Sequence, residues 1–236
     1  MLMKAVLLAA GRGTRLAPLT DSIPKILAPL GGRPLLEHQL HYLARNGVAE
    51  VGLNLHHHAE QVFEFLEHFD APFPIRVSHE RGLLGTAGAL LGLRDFVSGS
   101  FVLLYGDVLT DADLPSLLER HRMREGLATL TYYRSLETAG KGVLAVTPDE
   151  RVSSFAEKSP AITGEALVNA GLYALDAKVL TWIRPGADFG HDVWPAALAA
   201  GEALWGYELH GYVRDIGSLD ALQKAERDLA EGHLTW

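Results

Sequence analysis

The sequence predicts an α/β fold, a three-layer α/β/α sandwich on a mixed, mostly parallel sheet with a smaller added lobe. Short apolar runs alternate with segments of helical periodicity over about the first 140 residues, which is the pattern of strand–helix–strand units. From residue 142 onward, strands follow one another with only tight turns between them. The chain has 236 residues and no cysteine, which excludes disulfide, zinc-ribbon and iron–sulfur scaffolds.

Each predicted element of the first half has a local reason. The apolar run 3–9 ends at glycine and predicts a buried strand. Residues 11–34 are rich in Gly and Pro and predict a long ordered loop. Leu36, Leu40 and Leu43 have helix spacing before an Asn-Gly stop. The other elements predicted here are strands at 51–55, 75–78, 101–105 and 128–133, and helices at 59–69, 86–93 and 113–124.

The second half is predicted to contain more strands than helices. A closing helix is indicated by one apolar stripe, formed by Leu219, Leu222, Ala225 and Leu229. No repeat or low-complexity linker interrupts the chain, so we expect a single domain of two lobes. The other elements predicted here are strands at 143–146, 152–156, 167–175, 204–209 and 212–216, and helices at 177–183 and 193–200.

The charges are distributed unevenly. The chain carries a formal net charge of −8, yet residues 1–45 hold six basic and two acidic side chains. An acidic body argues against nucleic-acid binding, whereas a locally basic segment suits a small anionic ligand. No run approaches the roughly 18 apolar residues of a membrane span, and the apolar run 5–10 is too short for a secretory signal. We therefore expect a cytoplasmic protein with neither membrane nor nucleic-acid partners; the sequence leaves monomer or homo-oligomer open.

The strongest local signal is a glycine-rich turn after the first predicted strand, in the run LAAGRGTRL at 8–16. Glycines let backbone N–H groups approach phosphates closely, and Arg15 and Lys25 add the positive charge that a triphosphate requires. A dinucleotide-binding loop is excluded because Leu16 stands where its third glycine belongs. A P-loop is excluded because no Gly-Lys-Ser/Thr follows. We interpret the run as a phosphate-binding loop.

The extended string closely resembles the opening motif of the sugar-1-phosphate nucleotidylyltransferases, or NDP-sugar pyrophosphorylases. That motif, L-x-A-G-x-G-T-R-L-x-P-L-T-x-x-x-P-K-x-L, matches the whole run 8–27. The resemblance continues along nearly the entire chain. Its further matching segments are His79-Glu80, Leu84–Gly88, Gly106-Asp107, Glu157-Lys158, Asn169–Gly171 and Asp215–Gly217.

The resemblance implies a Rossmann-like fold of the nucleotide-diphospho-sugar transferase type and a Mg²⁺-dependent enzyme. The implied reaction joins an NTP and a sugar 1-phosphate into an NDP-sugar and pyrophosphate. The single domain 1–236 would then have a mainly nucleotide-binding lobe at 1–140 and a mainly sugar-phosphate-binding lobe at 141–236.

The resemblance also assigns roles to individual residues. The implied catalytic residues are Arg15, Lys25, Asp107 and Lys158. The implied nucleotide-binding residues are Ala10, Gly11, Gly13, Thr14, Arg15, Glu80, Gly85, Thr86, Ala87 and Gly88. The implied sugar-phosphate-binding residues are Gly142, Glu157, Lys158 and Asn169. The implied Mg²⁺ ligands are Asp107 and Asp215.

The segment 78–88 is more similar to mannose-1-phosphate guanylyltransferases than to thymidylyl- or uridylyltransferases, which more usually place glutamine before this loop. GTP and mannose 1-phosphate are therefore the expected substrates. Two features depart from that subgroup: the chain ends at Trp236 without the C-terminal β-helix, and Tyr212 stands where Trp is common. The alternatives are a heptose-1-phosphate guanylyltransferase, an N-acetylmuramate-1-phosphate uridylyltransferase, and a non-catalytic regulatory paralogue that binds nucleotide sugars.

Two other motifs invite a functional interpretation. The run His56–His58 suggests a metal cluster, but consecutive side chains at a strand end diverge, so we predict a strand–helix turn. Asp111 and Asp113 mimic the Asp-x-Asp motif of glycosyltransferases. They also precede a predicted helix, where carboxylates cap free N–H groups, so we predict capping.

Overall fold

The computed structural model describes residues 2–158 and 164–234. No helix among these residues is both long and apolar enough to span a lipid bilayer. The strands are β1 Met3–Leu8, β2 Pro29–Leu30, β3 Arg33–Pro34, β4 Val48–Leu55, β5 Ile75–His79, β6 Ser100–Tyr105, β7 Val108–Thr110, β8 Ala128–Ser135, β9 Val143–Val146, β10 Val152–Ala156, β11 Ala166–Asp176, β12 Leu204–Glu208 and β13 Val213–Asp215. The α-helices are α1 Leu35–Arg45, α2 Ala59–His68, α3 Leu114–Arg124, α4 Trp194–Ala199 and α5 Leu219–Ala230.

The chain forms two compact units, each assembled from separate stretches of sequence. Unit 1 comprises Met1–Leu83, Leu104–Asp113 and Gly211–Trp236. Unit 2 comprises Leu84–Leu103 and Leu114–His210. The predicted division into functional lobes at residue 140 stays a prediction.

Unit 1 is built on a parallel sheet with the strand order β1–β4–β5. Leu8 pairs with Asn54, and Asn54 pairs with Ser78. These residues stand at or near the carboxyl ends of their strands, so the segments that follow leave the sheet at one edge. In open α/β sheets, ligands bind at this edge.

Two short antiparallel pairs complete unit 1. β7 pairs with β13, which aligns Val108 with Asp215. β2 and β3 form a small hairpin. The amphipathic helix α5 buries Leu222 and Ala225 in a cluster that also contains Leu16 and Leu35.

Unit 2 contains most of the antiparallel pairing. Its strand order is β10–β9–β11–β6, and β8 pairs with both β11 and β12. The β8–β12 pair is parallel, whereas β8–β11, β9–β11 and β9–β10 are antiparallel. Trp194, Tyr173 and Phe189 form an aromatic cluster with ring centroids 4.8 to 5.7 Å apart.

The predicted mixed α/β architecture is confirmed, and four local predictions need correction. The predicted helix 177–183 is a 3₁₀ helix over Ala177–Trp182. The predicted helix 86–93 is a 3₁₀ helix over Gly88–Leu93, and the amides of Ala87 and Gly88 before its first turn both donate to Ala187 O. The helix predicted at 193 begins with a π-helical turn at Phe189–Val193. The long loop 11–34 contains three 3₁₀ turns and both strands of the β2–β3 hairpin.

Candidate active site

The glycine-rich turn after β1 lies against the side chain of Lys25. Gly13 has φ +64°, a left-handed conformation that glycine adopts without a steric penalty. A Cβ at this position would stand 3.0 Å from both Lys25 Cβ and Thr20 Cγ2. The Thr20 hydroxyl also donates a 2.8 Å hydrogen bond to Gly13 O. The turn and the lysine that follows it are thereby brought together, as the resemblance implies.

Asp107 stands where β6 ends and is held by its backbone and its side chain. The Lys25 ammonium donates to Asp107 Oδ2, with side-chain exposures of 12% and 29%. Ile216 donates its amide to Asp107 O at 2.8 Å, and Gly106 donates its amide to Leu8 O at 2.8 Å. The carboxylate therefore has a fixed position beside a cation.

Gln39 positions Asp107, although Gln39 was not among the site residues expected from the sequence. Its Nε2 donates to the carbonyls on both sides of the aspartate, at 3.2 Å to Gly106 O and 2.7 Å to Val108 O. Gln39 is fully buried, and its Oε1 has no hydrogen-bond partner in the described parts of the chain. Burying an unpaired amide oxygen is costly. A glutamine on the apolar face of α1 was the signal that could have identified this residue.

We expect Gln39→Leu to lower turnover and to lower the free energy of unfolding by about 1 to 3 kcal/mol, because two buried carbonyls lose their donor. Gln61 offers a matched control, since its Nε2 donates to the single carbonyl of Ser22 at an exposed position. Gln61→Leu should change neither quantity appreciably. Chemical denaturation and steady-state kinetics check both. Equal effects of the two substitutions would contradict a positioning role for Gln39.

Arg15 and Asp215 converge over Gly217. A Cβ on Gly217 would lie 2.8 Å from Arg15 Nη2 and 3.1 Å from Asp215 Oδ1. Both side chains are exposed, whereas Gly217 is buried. A side chain at position 217 would therefore compete with the flexible Arg15 guanidinium for the same space. We refer to Arg15, Lys25, Asp107 and Asp215 as the charge cluster of unit 1.

The carboxylates of the charge cluster fit a divalent hard cation. β7 and β13 bring the backbones of Asp107 and Asp215 together, because Val108 pairs with Asp215 and Ile216 bonds to Asp107 O. Across residues 2–158 and 164–234, no three His, Cys, Asp or Glu side chains are grouped as a metal site. Mg²⁺ needs no such cage, since it usually binds through one or two carboxylates together with substrate phosphates.

Glu80 lies in a buried network with the start of the glycine-rich turn. Asn54 Oδ1 accepts the Ala9 amide at 2.8 Å, and Asn54 Nδ2 donates to Glu80 Oε1 at 2.8 Å. The backbone amide can only donate, so it fixes the orientation of the Asn54 side chain. Glu80 is 4% exposed. The structure thus links Glu80 to the turn through Asn54, which the sequence did not indicate.

The segment 84–88, which we call the base loop, is held within unit 2. Gly85 has φ +79°, and a Cβ there would collide with Ala187 O. Ala187 O accepts the amides of Ala87 and Gly88, both at 3.1 Å. In return, Gly186 donates its amide to Leu84 O at 2.8 Å. A close backbone approach therefore requires the glycine that the motif predicts.

The sugar-phosphate residues of the motif also lie together in unit 2. A Cβ on Gly142 would stand 2.9 Å from Glu157 Oε2 and 3.3 Å from Asn169 Cβ, and Asn169 donates its amide to Gly142 O at 2.9 Å. Asn169 Nδ2 donates to Tyr173 Oη at 2.8 Å. We call Gly142, Glu157 and Asn169 the Glu157 subsite.

Burial raises the pKa of Glu157, and the nearby negative charge of Asp188 raises it further. His191 and Lys158 act in the opposite direction. Lys158 is exposed and has φ +48°, and its positive charge is near enough to lower the pKa of Glu157. A half-buried carboxylate with these neighbours can accept hydrogen bonds from ligand hydroxyl groups when it is ionised.

Three groups of candidate residues remain: the other members of the glycine-rich turn, the three histidines, and Asp111 with Asp113. Gly11 and Thr14 are exposed beside the turn, and Ala10 is buried. The three histidines form the turn between β4 and α2, which confirms that prediction. Asp111 Oδ1 accepts the Tyr212 amide at 2.8 Å, so it secures the segment before β13; capping of α3 by Asp111 and Asp113 stays a prediction.

The chain is similar to known proteins along most of its length. The family model described as "Nucleotidyl transferase" matches residues 4–232. A mannose-1-phosphate guanylyltransferase of Arabidopsis thaliana is 36% identical over 91% of this chain and 61% of its own length. A UTP–glucose-1-phosphate uridylyltransferase of Synechocystis is 30% identical over 95% of this chain and 63% of its own length. The chain thus spans about three fifths of the length of these two relatives.

Among solved structures, HddC from Yersinia pseudotuberculosis, complexed with GMP-PN, has a TM-score of 0.84 at 22% identity. The match covers 97% of this chain and 100% of that chain, and it concerns the fold alone. The family match over 4–232 confirms the predicted membership and with it the prediction of an enzyme. The chain belongs to the nucleotidyl transferase family.

Proposed function

We propose that this protein transfers a nucleotidyl group from an NTP, GTP in the first place, to a sugar 1-phosphate, mannose 1-phosphate in the first place. The products are an NDP-sugar and pyrophosphate. The observation that carries the proposal is the charge cluster of unit 1, in which two cations and two carboxylates gather behind a glycine-rich turn. Such a cluster suits a highly charged phosphate ligand.

The chemistry makes limited demands on the protein. A phosphate oxygen of the sugar 1-phosphate attacks the α-phosphorus of the NTP, and the bond from that phosphorus to the pyrophosphate oxygen breaks. The nucleophile is already an anion near neutral pH, since the second phosphate pKa is about 6, so no general base is needed. The obstacle is repulsion between two polyanions. Catalysis therefore rests on positioning and charge neutralisation.

The charge cluster supplies both positioning and charge neutralisation. Arg15 neutralises the departing pyrophosphate, and Lys25 lies at the reacting phosphates, where Asp107 orients its ammonium. Asp107 and Asp215 would hold Mg²⁺, which supplies charge neutralisation of the phosphate oxygens when bound. Gln39 keeps the Asp107 backbone in place through its two neighbouring carbonyls.

The Glu157 subsite takes the sugar. Glu157 accepts hydrogen bonds from sugar hydroxyls in its ionised form, while the Asn169 amide has both a donor and an acceptor to offer. Lys158, on the adjacent turn, pairs with the sugar phosphate. The close packing of Gly142 against Glu157 and Asn169 supports a pocket wall made of backbone.

Glu80 and the base loop select the nucleobase. Guanine presents N1–H and N2–H₂ on one edge, and a carboxylate can accept from both. The Arabidopsis relative named as a guanylyltransferase supports GTP, whereas the Synechocystis relative is named for UTP. The test must therefore distinguish GTP from UTP as the substrate.

The test is pyrophosphate release from purified protein, measured with four NTPs against mannose, glucose, heptose and N-acetylmuramate 1-phosphates, with and without Mg²⁺. We expect release only when NTP, sugar phosphate and Mg²⁺ are all present, with GTP and mannose 1-phosphate fastest. A strong preference for UTP or dTTP would overturn the guanine assignment alone. Nucleotide-sugar binding without turnover in any combination would establish a regulatory paralogue instead.

A further inference from the structure

Asp188 begins the π-helical turn Phe189–Val193 that leads into α4. Its Oδ1 accepts the amides of Gly190 at 2.8 Å and His191 at 3.1 Å. Its Oδ2 accepts the hydroxyl of Thr86, in the base loop, at 2.6 Å. Both oxygens of one carboxylate thus join the start of this turn to a loop that lies 102 residues earlier in the chain.

The hydrogen on the Thr86 hydroxyl has a defined direction. The Phe189 amide donates to Thr86 Oγ1 at 3.0 Å, and an amide N–H can only donate. The hydroxyl therefore accepts from Phe189 and gives its own hydrogen to Asp188. Hydrogen bonds to an ionised carboxylate are the stronger kind. This reciprocal pair fixes the base loop to residues 188 and 189.

Glu157 lies on the other side of the same turn. A Cβ on Gly190 would collide with the Glu157 carboxylate. The charged groups that face Glu157 are Asp188, His191 and Lys158, and only Asp188 is negative among them. The Asp188 charge therefore acts on Glu157, while its hydrogen bonds act on the base loop.

We propose that Asp188 is a positioning residue that couples the base loop to the Glu157 subsite, so that the nucleotide and the sugar phosphate strengthen each other's binding. The inference rests on the proposed function, which assigns ligands to these two elements. A nucleotide bound at the base loop stabilises the Thr86–Asp188 hydrogen bond, and this bond holds the carboxylate that faces Glu157. The coupling must be reciprocal, because it is a difference in binding free energy.

The first experiment is calorimetric titration of the sugar 1-phosphate into the protein, with and without a non-hydrolysable NTP analogue, using the pair turned over fastest in the substrate grid. We expect the analogue to tighten sugar-phosphate binding at least about fivefold in the wild type. Thr86→Val and Asp188→Asn should abolish this factor. Asp192→Asn is the matched control, because Asp192 accepts the Asp188 amide, whereas the hydrogen bonds of Thr86 among the described residues go to Asp188 and Phe189; it should keep the factor. The proposal would be overturned if the analogue did not tighten sugar-phosphate binding in the wild type, or if it still did so in Thr86→Val and Asp188→Asn.

The second experiment needs no substrate. We expect Asp188→Asn to lower the pKa of Glu157, because a negative neighbour is removed, whereas Asp192→Asn should leave it unchanged. The carboxyl carbon of Glu157 reports this in a ¹³C NMR titration, with the signal assigned by Glu157→Gln. An unchanged Glu157 pKa in Asp188→Asn refutes the link even if every substrate pair fails. Absence of turnover in the wild type, by contrast, refutes the proposed function and not this link.

Discussion

Asp107→Asn should reduce turnover by at least about 100-fold, the order found when one group that stabilises developing charge is removed. The substitution keeps the shape of the side chain but removes the charge that orients Lys25 and would hold Mg²⁺. Stability should change by about 1 kcal/mol or less, because the Lys25–Asp107 pair is partly exposed. Pyrophosphate release and thermal unfolding measure the two effects.

Asp111→Asn is the matched control for this prediction. Asp111 lies four residues further on, and its carboxylate accepts the Tyr212 amide, a hydrogen bond that asparagine can also accept. Turnover should therefore be close to that of the wild type. If Asp111→Asn were inactive and Asp107→Asn active, turnover would depend on Asp111 and not on Asp107, as the Asp-x-Asp interpretation requires.

Arg15→Ala should lower kcat/KM by about 100-fold or more, with the midpoint of thermal unfolding almost unchanged. Arg15 is exposed and its guanidinium lies over Gly217 beside Asp215, so its removal creates no cavity. Surface substitutions of this kind change stability by about 0.5 kcal/mol or less. Arg12→Ala, an exposed arginine of the same turn, is the control and should retain most activity. A large loss of stability with little loss of activity would mark Arg15 as structural.

Gly217→Ala tests the same contact between Gly217 and the Arg15 guanidinium, because it displaces the guanidinium instead of removing it. The new methyl group would occupy the position 2.8 Å from Arg15 Nη2, so the flexible guanidinium must move away. We therefore expect kinetics that approach those of Arg15→Ala, with the protein still folded.

Sequence periodicity was sufficient for elements whose burial follows a regular pattern. The apolar run at β1 and the helix spacing of Leu36, Leu40 and Leu43 each predict an element that the structure contains. It failed where long-range backbone hydrogen bonds decide the conformation. The segment 86–93 has helical periodicity, yet Ala87 and Gly88 are held by Ala187 O and the helix is a 3₁₀ helix over Gly88–Leu93.

The residues of the site also differ in whether the sequence could indicate them. The family resemblance implied the residues of the charge cluster and of the Glu157 subsite, and the structure brings the members of each set together. Gln39, Asn54 and Asp188 were missed. Each acts on a residue 26 to 102 positions away through a hydrogen bond, and a single sequence contains no record of such pairs.

The central claim is that the charge cluster serves attack at the α-phosphorus of a nucleotide. Phosphorus NMR of a reaction containing GTP, mannose 1-phosphate and Mg²⁺ tests it most directly. The account predicts that a sugar–nucleoside diphosphate and pyrophosphate appear in equal amounts, and that neither appears with Asp107→Asn. Formation of GDP, with orthophosphate or a doubly phosphorylated sugar, would place the attack at the γ-phosphorus and contradict the account.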